Sequence, residues 1–315
     1  MKRALICGIS GQDGSYLAKF LLKKGYEVFG TSRAASASNC SNLKLLGIQN
    51  SVKIISFSLL NLNEVIKLIE KIAPNEIYNL SGPSAVSFSF KSPEIAIKSL
   101  VLGALNLLEA VRLISNEIKI FNASSSECFG DLGSNEASEK SAFNPKSPYA
   151  VAKSTAHWSV VNYREAYNLF ACNGILFNHE SHLRPERFVT QKIVQTAKKI
   201  ANREKIKLIL GNTDIIRDWG WAPEYVEAMW LMLQCNKADD YIIATGKSVS
   251  LLYFVEEVFK YYDLDWRRYL QIDPGLFRLT DIQENYANPE KAKVNLGWQA
   301  KYDVNDVAKL MCQGP

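Results

Sequence analysis

The stretch Ala4-Leu-Ile-Cys-Gly-Ile-Ser-Gly-Gln-Asp-Gly14 decides the fold. Its first four residues are apolar, as in a short buried strand, and an amphipathic helix pattern with Leu17 and Leu21 on one side follows it up to Gly25. Between strand and helix, three glycines are spaced Gly-x-x-Gly-x-x-Gly, which lets the backbone approach a pyrophosphate at the helix N-terminus. The sequence therefore predicts a dinucleotide-binding unit here.

Outside this unit, strand and helix patterns alternate as far as residue 177. The predicted strands lie at residues 27–32, 52–57, 76–80, 119–123 and 171–177. Strands separated by helical segments indicate an α/β fold with a Rossmann-type doubly wound parallel sheet. Ligands of such sheets bind at the carboxyl ends of the strands.

The regular alternation fades after residue 177. A helix at 189–203, a strand at 206–210 and a helix from Pro223 indicate a smaller mixed α/β domain. We therefore expect a Rossmann domain at 1–177 and a C-terminal substrate-binding domain at 178–315, with segments near 211–246 packing back onto the first. The ligand cleft should lie between the two domains.

Composition excludes several classes of protein. The formal charge of +5 over 315 residues suits an anionic small molecule, but the sequence has no basic run that would indicate nucleic acid. Six scattered cysteines and three histidines argue against a metal site or a disulfide framework. The apolar run after Met1 is too short for a signal peptide, and no stretch could span a bilayer, so we expect a cytoplasmic protein.

The chemistry is predicted between residues 122 and 153. An apolar strand runs into Ser125 and Glu127, and Ser147 before Pro148 is a good start for a helix. That helix places Tyr149 and Lys153 one turn apart on the same face. A lysine ammonium near a phenol favours the phenolate, so Tyr149 is a candidate base, although the spacing alone would also suit an ordinary surface pair.

Several segments together resemble one family. They are Gly8-Ile-Ser-Gly-Gln-Asp-Gly-Ser-Tyr-Leu17, Ser147-Pro-Tyr-Ala-Val-Ala-Lys153, Val161-Asn-Tyr-Arg-Glu165, Ala171-Cys-Asn-Gly-Ile-Leu-Phe-Asn-His-Glu-Ser181, Arg217-Asp-Trp-Gly220, Ala244-Thr-Gly246 and Leu296-Gly-Trp298. The chain resembles the extended short-chain dehydrogenases/reductases that act on nucleotide sugars, and among them the GDP-mannose 4,6-dehydratases.

The resemblance implies a redox-neutral dehydration. Tyr149, supported by Lys153, would take the proton of the sugar 4-hydroxyl while hydride leaves C4 for the nicotinamide. Glu127 would remove the C5 proton and pass it to the departing 6-hydroxyl, and hydride would return to C6. Ser125 would orient the 4-oxygen.

The resemblance also implies the ligand contacts. The cofactor would be bound by Gly8, Gly11, Gln12, Asp13, Gly14, Arg33, Leu59, Leu80, Tyr149, Lys153 and His179. The GDP-sugar would be bound by Ser84, Asn178, Lys192, Arg217 and Arg278. An arginine rather than an acid after the second strand favours NADP, with NAD possible. The loop at residues 33–39 implies a homo-oligomer, a dimer or a tetramer.

Three alternatives stay open. The family pattern changes at Ser58, at Leu100 and in Arg278-Leu-Thr-Asp281, which concern ligand contacts rather than the catalytic groups. The same dehydration of a GDP-manno-heptose, or a net 4-oxidation or 4-keto reduction of a GDP-sugar, would use the same Tyr149 and Lys153. A binding protein that kept only the fold is a further reading.

Overall fold

A seven-stranded parallel sheet forms the centre of the computed structural model, which describes residues 1–33 and 40–314. The strands in chain order are β1 (Arg3–Cys7), β2 (Glu27–Ser32), β3 (Lys53–Ser56), β4 (Glu76–Asn79), β5 (Lys119–Ser125), β6 (Glu136–Ala137), β7 (Ala171–Leu176), β8 (Asn178–Glu180), β9 (Leu208–Leu210), β10 (Ile216–Trp221), β11 (Tyr241–Ile243), β12 (Ser248–Ser250), β13 (Leu270–Ile272) and β14 (Tyr286–Ala287). The order in the main sheet is β11-β7-β5-β4-β1-β2-β3. The direction of winding reverses beside β1, which creates the crevice expected of a doubly wound sheet.

Helices cover both faces of this sheet. They are α1 (Gln12–Lys23), α2 (Ser41–Leu45), α3 (Leu62–Ile72), α4 (Val86–Lys91), α5 (Pro93–Ile97), α6 (Gly103–Ile114), α7 (Pro148–Tyr167), α8 (Val189–Ala201), α9 (Ala222–Gln234), α10 (Leu251–Tyr261), α11 (Glu290–Leu296) and α12 (Val304–Cys312). Side chains of β1 alternate between the two layers. Ile6 packs in the core that includes Leu17 of α1, and Leu5 packs in the core that includes Val65 of α3. The predicted Rossmann-type α/β sheet is confirmed.

A second hydrophobic core lies among α8, α10 and α12. Beside it, β8, β10 and β12 form a small sheet in which β8 and β10 are parallel and β10 and β12 antiparallel. Between these elements the chain returns to the main sheet, because β11 pairs with β7 and α9 packs against α1. No helix within the described residues is long and apolar enough to cross a bilayer.

Local sequence signals account for most element boundaries. The Ser147 side chain accepts a hydrogen bond from the Ala150 N–H at 3.1 Å, so the predicted cap of α7 is confirmed. Several boundaries differ from the prediction by one or two residues. The helix expected to reach Arg203 ends at Ala201, because Arg203 has φ of +66° and leaves the helical conformation. The strand expected from residue 206 pairs with β13 only from Leu208.

Candidate active site

The glycine loop after β1 has the shape that a phosphate-binding turn requires. Gly8 has φ of +92°, and a Cβ atom there would lie 2.7 Å from the carbonyl oxygen of Leu80. A Cβ atom on Gly14 would lie 2.3 Å from the carbonyl oxygen of Gly8. Gly11 is the N-cap of α1 and has no side chain to cap it, so the first N–H groups of the helix are available to an anion. This cradle fits a dinucleotide pyrophosphate.

Three predicted cofactor residues form a hydrogen-bonded network that ties α1 to β8. Gln12 Nε2 donates to Asp13 Oδ1 at 3.0 Å and to the His179 carbonyl oxygen at 3.1 Å, and Ser181 Oγ donates to Gln12 Oε1 at 2.7 Å. The two ends of this network are more than 160 residues apart in the chain. The glycine loop is therefore held in place by β8 and the residue that follows it.

Asp13 and His179 form an ion pair within this network. His179 Nε2 lies 2.9 Å from Asp13 Oδ2, and His179 Nδ1 lies 2.7 Å from the Phe177 carbonyl oxygen. Both neighbours accept hydrogen bonds, so the site suits the protonated imidazole, in which both ring nitrogens donate. Burial disfavours the charged form of both groups, but the attraction between them outweighs burial. The pKa of His179 is therefore raised, and that of Asp13 is lowered to about 2.

The predicted Tyr149 and Lys153 lie at the carboxyl end of β5. Tyr149 is buried in the first turn of α7, and the Lys153 ammonium lies 5.8 Å from the centre of its ring. Lys153 Nζ donates to the Ala123 carbonyl oxygen at 2.6 Å, and Ser125 Oγ accepts from the Glu127 N–H at 3.3 Å. The strand end, the following turn and α7 thus bring the four predicted catalytic residues together.

Two opposing effects act on the pKa of Tyr149. Burial raises the pKa of Tyr149, and its hydrogen bond with Ser125 lowers it only in part. Burial also lowers the pKa of Lys153, to about 8. Burial therefore opposes the predicted phenolate, and the Lys153 ammonium is engaged by the Ala123 carbonyl oxygen.

Glu127 faces two arginines from the C-terminal part of the chain. Its side chain is 15% exposed, and its Oε1 lies 3.9 Å from Arg278 Nη1. Asp281 Oδ1 lies 3.4 Å from both Arg278 Nη1 and Arg217 Nη2. Arg217 is buried and also donates to the Ile282 carbonyl oxygen at 2.7 Å. Arg217 and Arg278, both predicted to bind substrate, therefore lie beside a predicted catalytic carboxylate.

The other predicted ligand residues have varied surroundings. Leu59 is buried, Leu80 contacts the glycine loop through its backbone, and Arg33 is exposed at the end of β2. Residues 34–39, the remainder of the loop predicted to reach a neighbouring subunit, lie outside the described residues. Lys192 Nζ donates to the Ile209 carbonyl oxygen at 2.6 Å, so its ammonium is directed toward β9.

Ser84 and Asn178 complete the predicted set. Ser84 is exposed in the loop after β4, and Asn178 is half-buried in β8, opposite Trp219 of β10. Within the described residues, no cluster of three or more His, Cys, Asp or Glu side chains could hold a metal ion.

Leu100 packs directly against Tyr149. It lies in a π-helical turn, Lys98–Leu102, between α5 and α6, and shares a small apolar cluster with Tyr149 and Ala152. A Cβ atom on Gly82 would lie 2.4 Å from a Leu100 methyl group. Leu100, where the sequence departs from the family pattern, therefore adds to the apolar environment of the phenol.

A ladder of buried amides below the site was not predicted. Asn79 Nδ2 donates to Asn122 Oδ1 at 3.0 Å, Asn122 Nδ2 to Asn173 Oδ1 at 2.9 Å, and Asn173 Nδ2 to Asp240 Oδ1 at 3.1 Å. At the other end, Ser81 Oγ donates to Asn79 Oδ1 at 2.6 Å. The ladder links β4, β5 and β7 at positions that are in register across the sheet. One asparagine within each of three apolar strands was the sequence signal for it.

The sequence profile described as GDP-mannose 4,6 dehydratase matches residues 5–311. The chain belongs to the GDP-mannose 4,6-dehydratase family. It is 44% identical over 320 residues to GDP-mannose 4,6 dehydratase 1 of Arabidopsis thaliana, covering 98% of this chain and 88% of the relative. It is 39% identical over 344 residues to the GDP-mannose 4,6-dehydratase of Vibrio cholerae, covering 98% and 92%.

Solved structures match the fold of this member of the GDP-mannose 4,6-dehydratase family. The dTDP-glucose 4,6-dehydratase of Bacillus anthracis, in complex with NAD, superposes with a TM-score of 0.87 at 20% identity. The match covers 99% of this chain and 96% of that one. At this identity the similarity concerns the architecture alone, which extends over both the main sheet and the C-terminal region.

Proposed function

We propose that this protein converts GDP-mannose to GDP-4-keto-6-deoxymannose by loss of water, as an NADP-dependent hydro-lyase. Membership of the GDP-mannose 4,6-dehydratase family supports the substrate. The observation that carries the reaction type is the position of Glu127, which follows the same strand end as Ser125 and lies close enough to Tyr149 to act on its charge. A net oxidation or reduction at C4 needs no such carboxylate.

Each catalytic side chain has one proton to move or one atom to orient. Tyr149 takes the proton of the 4-hydroxyl, and the Lys153 ammonium offsets part of the cost of a buried phenolate. Ser125 orients the 4-oxygen. Once C4 is a ketone, the C5 proton is acidic, and Glu127 accepts it and then donates it to the 6-hydroxyl, which leaves as water. The proton held by Tyr149 is the one available to C5 when hydride is returned to C6, which completes the balance.

The cofactor is proposed to bind along the glycine loop. Gly8, Gly11 and Gly14 give the close backbone approach, and the Gln12–Asp13–His179 network holds that loop in place. The exposed Arg33 at the end of β2 favours NADP over NAD because a guanidinium can bind a 2′-phosphate. NADP, when bound, supplies the hydride acceptor for C4 and the hydride donor for C6. Leu59 and Leu80 are proposed to border the same crevice.

The GDP moiety is proposed to bind on the C-terminal side of the crevice. Arg278 has an exposed guanidinium suited to phosphate oxygens, and Arg217 adds positive charge beneath it. Ser84, Asn178 and Lys192 are proposed to complete the substrate contacts. For Lys192, this requires the ammonium to leave the Ile209 carbonyl oxygen.

The domain division is proposed to follow the two main cores. The Rossmann domain would comprise residues 1–177, with α9 and β11 packed back onto it, and the substrate-binding domain would comprise most of residues 178–315. The separate core among α8, α10 and α12 supports this division.

We further propose a homo-oligomer. The outward face of α7 carries Val151 and Trp158, which are 44% and 57% exposed, and both line a cavity of about 630 Å³. Large exposed apolar side chains on one helix face are typical of a protein interface. Light scattering should show a dimer or tetramer for the wild type, and Trp158→Glu should reduce its size. A wild-type monomer at micromolar concentration would contradict the proposal.

Mass spectrometry tests the reaction. Purified protein is incubated with GDP-mannose and no added cofactor, and the nucleotide sugar should lose one water. Glu127→Gln should give no dehydrated product while still binding NADP. No change in mass for the wild type, even after NADP or NAD is added, would refute the assignment and favour a GDP-manno-heptose or a net oxidoreductase.

A further inference from the structure

The ring of Tyr225 is stacked on the imidazole of His179. The two ring centres lie 4.5 Å apart, and the ring planes are inclined by 25°. Tyr225 lies in α9 and is fully buried, whereas His179 lies in β8 and pairs with Asp13 at the start of α1. The imidazole therefore has a carboxylate at its edge and an aromatic ring against its face.

Two of the segments that carry the family resemblance hold the Tyr225 ring in place. In Arg217-Asp-Trp-Gly220 the last residue has no side chain, and a Cβ atom there would lie 2.4 Å from the Tyr225 ring. In Leu296-Gly-Trp298 the indole packs edge-on against Tyr225, with the ring centres 5.7 Å apart, and its Nε1–H donates to the Glu224 carbonyl oxygen at 3.1 Å. The phenol ring therefore has little freedom to leave His179.

The hydroxyl group of Tyr225 does not account for the position of this side chain. Its oxygen is buried and has no hydrogen-bond partner among residues 1–33 and 40–314. A buried hydroxyl without a partner lowers stability, so this polar group is not what holds the residue in place. The contact that distinguishes Tyr225 is the face of its ring against His179.

The face of an aromatic ring attracts a cation, because the π electrons give the face a negative potential. Burial lowers the pKa of His179, but the pairing with Asp13 outweighs burial, so that the pKa is raised and the charged imidazolium is favoured. Its ring centre, 4.5 Å from that of Tyr225, lies within the range of about 6 Å over which a cation–π contact is effective. The stacked ring therefore stabilises a charge that burial opposes.

The ionisable groups that act on His179 come from three elements. They are Asp13 from α1, Arg184 from the loop after β8 and Tyr225 from α9. Asp13 favours a positive charge on His179, and Arg184 opposes it. Gly220, which is paired with His179 on β10, adds no side chain. The Tyr225 ring therefore acts in the same direction as Asp13, against burial and Arg184.

We propose that Tyr225 is a positioning residue for the cofactor loop, acting through a cation–π contact that keeps His179 charged and paired with Asp13. This inference rests on the proposed function, because the glycine loop is the proposed cofactor site. Asp13 lies in the first turn of α1, directly after that loop. An unpaired carboxylate there would repel an anionic pyrophosphate, and the imidazolium neutralises it.

Histidine NMR tests this inference, because the chain has only three histidines. Their signals are assigned by replacing each histidine in turn with glutamine. The pH midpoint of His179 is then measured in the wild type, in Tyr225→Phe and in protein that carries a trifluorinated phenylalanine at position 225. Fluorine withdraws electrons from the ring face with little change in shape. The midpoint should stay near the wild-type value in Tyr225→Phe and fall by about one unit in the fluorinated protein.

NADPH titration gives the functional readout. At a pH between the two midpoints, the fluorinated protein should bind NADPH about 3- to 10-fold more weakly than Tyr225→Phe, because fewer molecules hold a charged His179. Well below both midpoints the two affinities should be equal. A trifluorinated phenylalanine at position 261 is the matched control, since Tyr261 is 42% exposed and its ring packs against Tyr262, and it should change neither quantity.

Equal His179 midpoints in Tyr225→Phe and the fluorinated protein would overturn the inference. A loss of NADPH affinity that is the same at every pH would also overturn it, because this result would indicate a general disturbance of packing. Water loss from GDP-mannose by the wild type is measured separately. An enzyme that dehydrates GDP-mannose but shows equal midpoints therefore refutes the role of Tyr225 alone.

Discussion

Replacement of Asp13 by Asn should destabilise the cofactor-free protein by about 2 kcal/mol near pH 5. The Asp13 carboxyl has a pKa of about 2 in the fold against an ordinary value of 3.8. Each unit of difference corresponds to about 1.4 kcal/mol, so nearly two units give a little over 2 kcal/mol. The source is the ion pair with the buried His179 at 2.9 Å, which the uncharged Asn cannot form.

The stability that this ion pair contributes should decrease at both low and high pH. The pKa of Asp13 is lowered in the fold, so its contribution is complete above about pH 4 and is lost as the pH falls toward 2. The pKa of His179 is raised above 6.5, so its contribution is complete below that pH and is lost as the pH rises through the higher value. The pair should therefore stabilise the fold most between about pH 4 and 6.5.

Urea unfolding followed by tryptophan fluorescence measures the effect. The difference in unfolding free energy between wild type and Asp13→Asn should shrink by about 1 kcal/mol from pH 5 to pH 3, because Asp13 protonates more readily in the unfolded chain. Glu290→Gln is the control, since Glu290 is 62% exposed and pairs with Lys293 at 3.6 Å, and it should change little. A constant difference between pH 5 and pH 3 would refute this reasoning.

Three further substitutions test other parts of the structure. Ser147→Ala removes the cap of α7 and should lower the free energy of unfolding by about 1 kcal/mol, which urea unfolding would detect; an unchanged midpoint would contradict the cap. Gly14→Ala places a Cβ atom 2.3 Å from the Gly8 carbonyl oxygen and should abolish NADPH binding in a fluorescence titration, whereas retained affinity would mean that the loop can shift. Tyr149→Phe should lower turnover by about 100- to 10,000-fold with little change in unfolding midpoint, and near-normal turnover would exclude Tyr149 as the base.

Local patterns in the sequence were sufficient to predict the architecture of the main sheet. Short apolar runs gave six strands of the main sheet, and the glycine spacing after β1 fixed where the crevice lies. These signals work because burial of a strand and close backbone approach each constrain a few neighbouring residues. The seventh strand, β11, was anticipated only as part of a longer segment packing back.

Ion pairs between residues far apart in the chain could not be predicted from the sequence. Asp13 and His179 were both predicted to touch the cofactor, yet each is the other's ion-pair partner across more than 160 residues. Glu127 and Arg278 were assigned to separate tasks, and the fold places them 3.9 Å apart. The direction of the Tyr149 pKa also depends on burial, which the Tyr-x-x-x-Lys spacing does not encode.

The late position of β11 in the chain has a consequence for synthesis on the ribosome. Strand β7 ends at Leu176, but the strand that pairs with its outer edge does not begin until Tyr241. During translation of the intervening residues, the nascent sheet exposes a row of free backbone N–H and C=O groups, which favours pairing with other chains. Fragments that end between Leu176 and Tyr241 should therefore aggregate. The main sheet can be completed only after β11 has been synthesised.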